Sequence, residues 1–383
     1  MGTTSPTAAG NNFFFIDINT TTRCNLRCKY CIEPFKEDID LDDGVIDKFI
    51  VRIDEFLASE FMKSYDGITL GFWGGEPTTN PKAMQKIVRY YEDDARIKFL
   101  VYSNGYRINH IRPFIEEYKN IKLPNGSPKI YYQISYDGAP AHAKNRLSYT
   151  GKETVDEVRN SIKWAINENI PFSIKSTINR DTFDLMGECY DDIKDLLEGQ
   201  PHGSYFPTID YLTNIKVTDE ERKKYYKSLE GALISIAEKE IEFYKKNKRF
   251  FFSWFSGGKA LCAAGSHGLA MDLDGTIYKC HGVFYSDKKI ENRVTSIYDD
   301  TFMSDIEKSS RMHKSISHVL PDDCKSCYAE FCLKCNSMCY DISEKETFME
   351  KWNDYPNQPD LCDLYRLATQ VKWGMLKVLG LKK

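Results

Sequence analysis

The chain has 383 residues, of which 42% are hydrophobic, 28% charged and 13% aromatic. That is material for two or three domains, or for one large barrel with an appendage, and it excludes a small disulfide scaffold and extensive disorder. With 52 basic against 56 acidic residues the net charge is -4, which lacks the basic excess of a general nucleic-acid binder.

Residues 1–12 are small and polar and read as a loose tail, without the basic start and apolar core of a signal peptide. No run of ~18 apolar residues follows, so a cytoplasmic protein with no membrane partner is expected. From residue 13 onward, short β-branched and aromatic runs alternate with longer amphipathic stretches. The strand candidates are FFFIDINT, GITLGFW, KFLVYSN, IYYQISYD, PFSIKSTI and YFPTIDYL, with helices expected near 42–61, 82–95, 107–119, 152–169 and 182–198. This rhythm predicts an α/β fold, a partial (β/α)6 TIM-like barrel over 13–217. Thr218, followed by Asp and Glu, starts a connecting helix over 218–254. Residues 255–365 are rich in turns and cysteines and need something other than a large apolar core to hold them; a C-terminal helix closes the chain over 366–383.

Of the 12 cysteines, 11 fall in two groups, which in a chain without a secretion signal points to metal or iron–sulfur ligation. Cys189 stands alone and reads as a small buried hydrophobe. Cys24, Cys28 and Cys31, spaced CxxxCxxC with Tyr30 before the last, directly follow the first strand. Three thiolates on one loop hold three irons of a cubane and leave the fourth open; zinc, the alternative, wants four ligands in a closed site. Gly74, Gly75, Glu76 and Pro77 end the second strand candidate.

This triad and the GGEP strand end, in that order, resemble the radical S-adenosylmethionine (radical SAM) enzymes. The resemblance implies a 4Fe–4S cluster on the three cysteines whose open iron chelates S-adenosylmethionine. One electron then splits the sulfonium into methionine and a 5′-deoxyadenosyl radical that takes hydrogen from substrate. It also implies that the GGEP segment meets the cofactor's amino group, and that Ser103 and Asn104 on the third strand, Ser135 and Asp137 on the fourth and Arg146 downstream contact the rest of it. His142, Thr177 and Asn179 match more weakly, and Asn104 and Asp137 are also ordinary turn formers.

The second cysteine group comprises Cys262, Cys280, Cys324, Cys327, Cys332, Cys335, Cys339 and Cys362, with Gly275 opening a GxxxxC at Cys280. It resembles the SPASM extension of radical SAM enzymes, a small loop-rich iron–sulfur domain that holds two auxiliary 4Fe–4S clusters, for a total of three. The spacing departs from the family pattern in the middle block, which carries one extra cysteine. The resemblance implies that either Cys332 or Cys335 joins Cys324, Cys327 and Cys362 on the outer cluster. By the same resemblance the inner cluster would take Cys262, Cys280, Cys339 and the remaining one, or keep an open iron for substrate. Zinc-ribbon modules are the other reading of the CxxC pairs.

The resemblance further implies a maturase of a ribosomally made precursor peptide that forms a thioether, a carbon–carbon crosslink or a similar oxidation product. Flavodoxin or ferredoxin would serve as reductant. With only about a dozen residues before the barrel, leader recognition is expected on the barrel face or from a separate leader-binding protein. The alternatives are an anaerobic sulfatase-maturing, formylglycine-forming enzyme and a non-catalytic iron–sulfur electron carrier. Sulfatase-maturing relatives carry an Asp after the second SPASM cysteine as proton acceptor, whereas His281 follows Cys280 here. Imidazole suits a base near neutrality, which makes His281 the candidate catalytic base; a hydrogen bond within a tight loop is its other reading.

Overall fold

The computed structural model describes residues 12–31, 33, 37–197, 205–209, 218–252, 255, 263–285, 289–314, 326–330 and 358–381, with the backbone alone for 205–209, 219, 222, 313–314 and 358–364. The first strand, β1 (Phe13–Asn19), is followed by the short β2 (Leu26–Cys28) in the cysteine loop and by helix α1 (Asp43–Leu57). Then come β3 (Gly67–Trp73), α2 (Pro81–Tyr90), β4 (Ile97–Ser103), α3 (Arg112–Tyr118) and β5 (Ile130–Ser135). Helix α4 (Ala139–Asn145), β6 (Arg146–Ser148), α5 (Val155–Asn167), β7 (Phe172–Ile178), α6 (Met186–Leu197) and β8 (Tyr205–Ile209) complete the barrel portion.

Strands β1, β3, β4, β5, β7 and β8 pair in that order, all parallel. Alternation decides which face is which. Phe14, Ile16 and Ile18 of β1, in register with Ile68, Leu70 and Phe72 of β3, are at most 2% exposed and meet the helices. Phe14, for example, packs edge-on against Phe56 of α1, ring centroids 5.1 Å apart. The opposite, concave face is half-open. Along β5 the buried Ile130, Tyr132 and Ile134 alternate with half-buried Tyr131, Gln133 and Ser135. The expected α/β partial barrel is therefore present, with helices outside and a polar interior.

Several helices differ from the pattern expected of the sequence. The stretch at 42–61 ends its α-helix at Leu57, before a 3-10 turn at Phe61–Ser64. The helix expected at 82–95 runs from Pro81 to Tyr90. That at 107–119 begins as a 3-10 turn, and the α-helix starts only at Arg112, where a proline in its first turn needs no backbone donor. At 182–198, Asn179 and Thr182 form a capping box that opens a 3-10 turn before α6.

Helix α7 (Asp219–Asn247) starts at Thr218 with a reciprocal capping box to Glu221. Beyond it, β9 (Gly268–Met271), β10 (Thr276–Tyr278) and β11 (Arg293–Ser296) form an antiparallel meander whose first strand pairs parallel with β1. The C-terminal part thus extends the barrel's own sheet to nine strands. Helix α8 (Phe302–Lys314) follows, and α9 (Gln358–Val378) lies against α7. The closing helix begins before residue 366, with Pro359 in its first turn. Thr369, Lys372 and Trp373 of α9 fasten residues 326–330 through Glu330, whose carboxylate pairs with the buried Lys372 at 2.6 Å. Among the described residues no helix is long and apolar enough to cross a membrane.

The turn after α7 is held by one buried carboxylate. Glu240, 0% exposed, accepts from the Tyr190 hydroxyl at 2.6 Å and from the backbone N–H groups of Phe251 and Phe252 at 3.0 and 2.8 Å. Glu240→Ala removes these three hydrogen bonds at a cost of about 3 kcal/mol, and Tyr190→Phe costs less. Scanning calorimetry should show the melting temperature lowered by roughly 4 °C in the first variant; an unchanged melt would mean the turn is held elsewhere.

Candidate functional site

The cysteine loop lies at the C-terminal mouth of the barrel, where parallel strands present their loops. It is pinned first by backbone. The N–H groups of Gly75 and Glu76 donate to the carbonyls of Thr21 and Arg23, both at 2.8 Å. At Gly74, with φ of +137°, an added Cβ would stand 2.4 Å from the Thr21 oxygen; at Gly75 it would stand 2.3 Å from the Arg23 oxygen. Only glycine lets the two chains approach this closely.

Glu76 is 1% exposed, and its carboxylate accepts from Ser103 Oγ (2.9 Å), the Asn104 N–H (2.6 Å) and both the hydroxyl and the N–H of Thr78 (2.7 and 3.3 Å). Burial raises its pKa despite these hydrogen bonds. Glu76 therefore ties the end of β3 to the end of β4. Asn104 continues the chain of contacts, since its amide donates to Asn25 at 2.7 Å and reaches Cys24 Sγ at 3.9 Å. Pro77 starts the 3-10 turn that Glu76 caps.

The other side of the loop is pinned by charge. Strands β2 and β6 pair antiparallel with Cys28 opposite Arg146. The Arg146 guanidinium binds both Asp137 oxygens, at 3.0 and 3.2 Å, and reaches Cys28 Sγ at 4.0 Å. Burial acts to lower the Arg146 pKa, but the charges of Asp137, Tyr30 and Cys28 outweigh it and hold the guanidinium above its ordinary value. Asp137, 1% exposed, also accepts from the Tyr30 hydroxyl at 2.5 Å and from the Thr177 N–H at 2.8 Å. One carboxylate thus joins the cysteine loop, β6 and β7. Ser135 is half-buried on the concave face. His142, 0% exposed, has its pKa pushed down to about 3 by burial and contacts Thr154 at 3.1 Å, so it is a neutral packing residue. Asn179 serves as the capping residue already described and bonds to Asn145.

Cys24, Cys28 and Cys31 carry no disulfide. Their chemistry fits a thiolate-bound iron–sulfur cluster: the loop is held on both sides, an amide faces one sulfur, and a buried guanidinium faces another. Among the described residues no three His, Cys, Asp or Glu side chains meet at a single-ion site. Of the second cysteine group, Cys280 and Cys327 are half-buried and without disulfides. Cys262, Cys324, Cys332, Cys335 and Cys339 lie outside the described residues, and Cys362 lies in α9 at a position where only the backbone is described.

Residues that the sequence pattern did not single out also enter the site. Asp17, in the middle of β1 and 6% exposed, binds His281 Nδ1 through Oδ2 at 2.6 Å. The imidazole stacks on Trp73 at the end of β3, ring centroids 4.5 Å apart. The signal was present in FFFIDINT, where Phe13, Phe15, Asp17 and Asn19 share the face opposite the apolar one. A charged residue on a central barrel strand needs a partner, and here the partner comes from 264 positions away.

Residues 18–197 match the Radical SAM superfamily. Over 94% of its length the chain is 22% identical to the radical SAM cyclopropyl synthase TigE of Paramaledivibacter caminithermalis, covering 73% of that protein. Its fold is similar to that of anSMEcpe with bound AdoMet, with a TM-score of 0.64 at 17% identity over 96% of this chain and 98% of the other. It is also similar to Streptococcus suis SuiB bound to the precursor peptide SuiA, with a TM-score of 0.52 at 13% identity over 77% and 66% of the two chains. Residues 18–197, just under half of the chain, thus match the radical SAM family, and both the glycine-lined approach at the barrel mouth and the cysteine loop it holds lie within that stretch.

Proposed function

We propose that the chain is a radical SAM maturase that takes hydrogen from a ribosomally made peptide and leaves a thioether, a carbon–carbon crosslink or a similar oxidation product. The observation that carries this reading is His281: a residue of the C-terminal segment, next to Cys280, is seated in the barrel between Asp17 and Trp73. The similarity to TigE along most of the chain supports the reading, as does the fold shared with SuiB, whose structure holds a precursor peptide.

In this reading Cys24, Cys28 and Cys31 hold one 4Fe–4S cluster, which with S-adenosylmethionine supplies the 5′-deoxyadenosyl radical. Ser103, Asn104, Ser135, Asp137, Arg146 and the Gly74–Pro77 segment orient the cofactor. Residues 255–365 form a SPASM domain with two further clusters on Cys262, Cys280, Cys324, Cys327, Cys332, Cys335, Cys339 and Cys362. A flavodoxin or ferredoxin supplies electrons, and the leader is recognised by the barrel face or a separate protein. His281 accepts a proton from the substrate at Nε2 while Asp17 fixes its ring through Nδ1.

The direct test incubates the anaerobically reconstituted, reduced protein with short peptides encoded beside it and reads 5′-deoxyadenosine together with loss of hydrogen from the peptide by mass spectrometry. Formylglycine in a sulfatase-derived peptide would move the assignment to sulfatase maturation, and no 5′-deoxyadenosine at all would leave an electron carrier. Replacing Cys24, Cys28 and Cys31 together by Ala should remove about four irons per chain and abolish 5′-deoxyadenosine; persistent cofactor cleavage would sink the triad's role. Glu76→Ala, which releases Ser103 and Asn104, should weaken S-adenosylmethionine binding roughly tenfold at unchanged iron content, read by titration of the cluster's spin signal. His281→Ala should keep cofactor cleavage and lose most peptide product. Loss of both activities would point to damage around Cys280, and loss of neither removes His281 from the mechanism.

A further inference from the structure

The barrel interior carries polar groups that the cofactor site and the His281 contact leave unused. Asp17 spends Oδ2 on His281, but its Oδ1 is buried and makes no hydrogen bond. The hydroxyl of Tyr102, on β4, is likewise buried; burial and its interaction with the Asp17 carboxylate raise its pKa, but it makes no well-aligned hydrogen bond. The two side chains meet over Gly71 of β3, where an added Cβ would stand 2.3 Å from Asp17 Oδ1 and 3.1 Å from the Tyr102 ring. Glycine at this mid-strand position keeps the notch open. On β7, Lys175 shares the concave face, being in register with Ser135. It makes no ion pair or hydrogen bond among the described residues, and burial lowers its pKa against the pull of Asp17.

These groups constrain a ligand by complementarity. Asp17 Oδ1 only accepts, the Lys175 ammonium only donates, and the Tyr102 hydroxyl does either. A carboxylate would gain Lys175 and be repelled by Asp17; an ammonium or guanidinium would gain Asp17 and be repelled by Lys175 and the buried Arg146. A neutral amide presents an N–H and a C=O together and satisfies both ends without burying a new charge.

We propose that Asp17, Tyr102 and Lys175 form an amide-recognition subsite in the barrel interior, which holds an uncharged peptide segment with an N–H on Asp17 Oδ1 and a C=O on Lys175. This rests on the reading of the chain as a peptide maturase and names how the peptide enters the barrel. Asp17 then serves two groups at once, His281 through one oxygen and the substrate through the other. A residue that aligns the base also aligns the segment from which hydrogen is taken.

The test uses the reconstituted protein with S-adenosylmethionine and three small probes, N-acetylglycinamide, acetate and ethylammonium, observed by saturation-transfer NMR. The diamide should bind and the two ions should not. Asp17→Asn and Lys175→Met should each weaken the diamide at least fivefold, and Gly71→Ala, which displaces the Asp17 carboxylate, should do the same. Preference for acetate or for ethylammonium, no binding of any probe, or equal diamide binding in the wild-type protein and the Asp17 and Lys175 variants would overturn the subsite. The comparison among probes in the unaltered protein stands even where a variant fails to fold. Diamide binding with no precursor peptide ever modified would instead leave the subsite standing and refute the peptide-maturase reading.

Discussion

The close approach of Gly74 and Gly75 to the carbonyls of Thr21 and Arg23 is the constraint on which the barrel mouth depends. A loop carrying three cysteines has no regular structure of its own beyond the three-residue strand at Leu26–Cys28. Its shape must be imposed from outside, and backbone hydrogen bonds to a strand end impose it without relying on side-chain rotamers. Glu76 then transmits the same register to the next strand, since its carboxylate is shared between Ser103 and Asn104. On the far side the Asp137–Arg146 pair does the corresponding work by charge. Removing either partner would leave a buried ion, so this side is as costly to disturb as the backbone side.

The C-terminal segment is a structural part of the barrel and not a satellite. Strand β9 hydrogen-bonds to β1 in parallel, with Phe15 opposite Gly268 and Asp17 opposite Ala270. The turn that follows β10 leads directly to Cys280 and His281. Any group held by Cys280 is therefore set at a fixed distance from the barrel interior by sheet register. Asn19 extends the same coupling through Asp272, which also pairs with Lys289.

Much of this was legible in the residues. The six parallel strands follow from alternation and β-branched runs, and the cysteine loop and glycine pair announce themselves by spacing. Strand ends moved by a residue or a few, because side-chain pattern does not say where ladder hydrogen bonding stops. Helix starts moved where capping or a proline decided them, as at Arg112 and Asn179. The role of Glu76 as a tie between strands was hidden, since its donors are 27 and 28 positions away. So was the joining of β9 to β1, which no local pattern encodes.

Strand β3 shows how one short sequence serves three surfaces. Ile68, Leu70 and Phe72 face the helices and are fully buried, which fixes the register of the strand, because a slip of one residue would expose all three. The same alternation forces Gly71 and Trp73 to the interior. The missing side chain at Gly71 makes room for the Asp17 carboxylate and the Tyr102 ring, and the large one at Trp73 supplies the plane on which His281 lies. Where the alternation ends, Gly74 turns with positive φ to meet the cysteine loop. Core packing, the Asp17–His281 contact and the cysteine loop are thus set by one register, so a change that shifts β3 against β1 disturbs all three together.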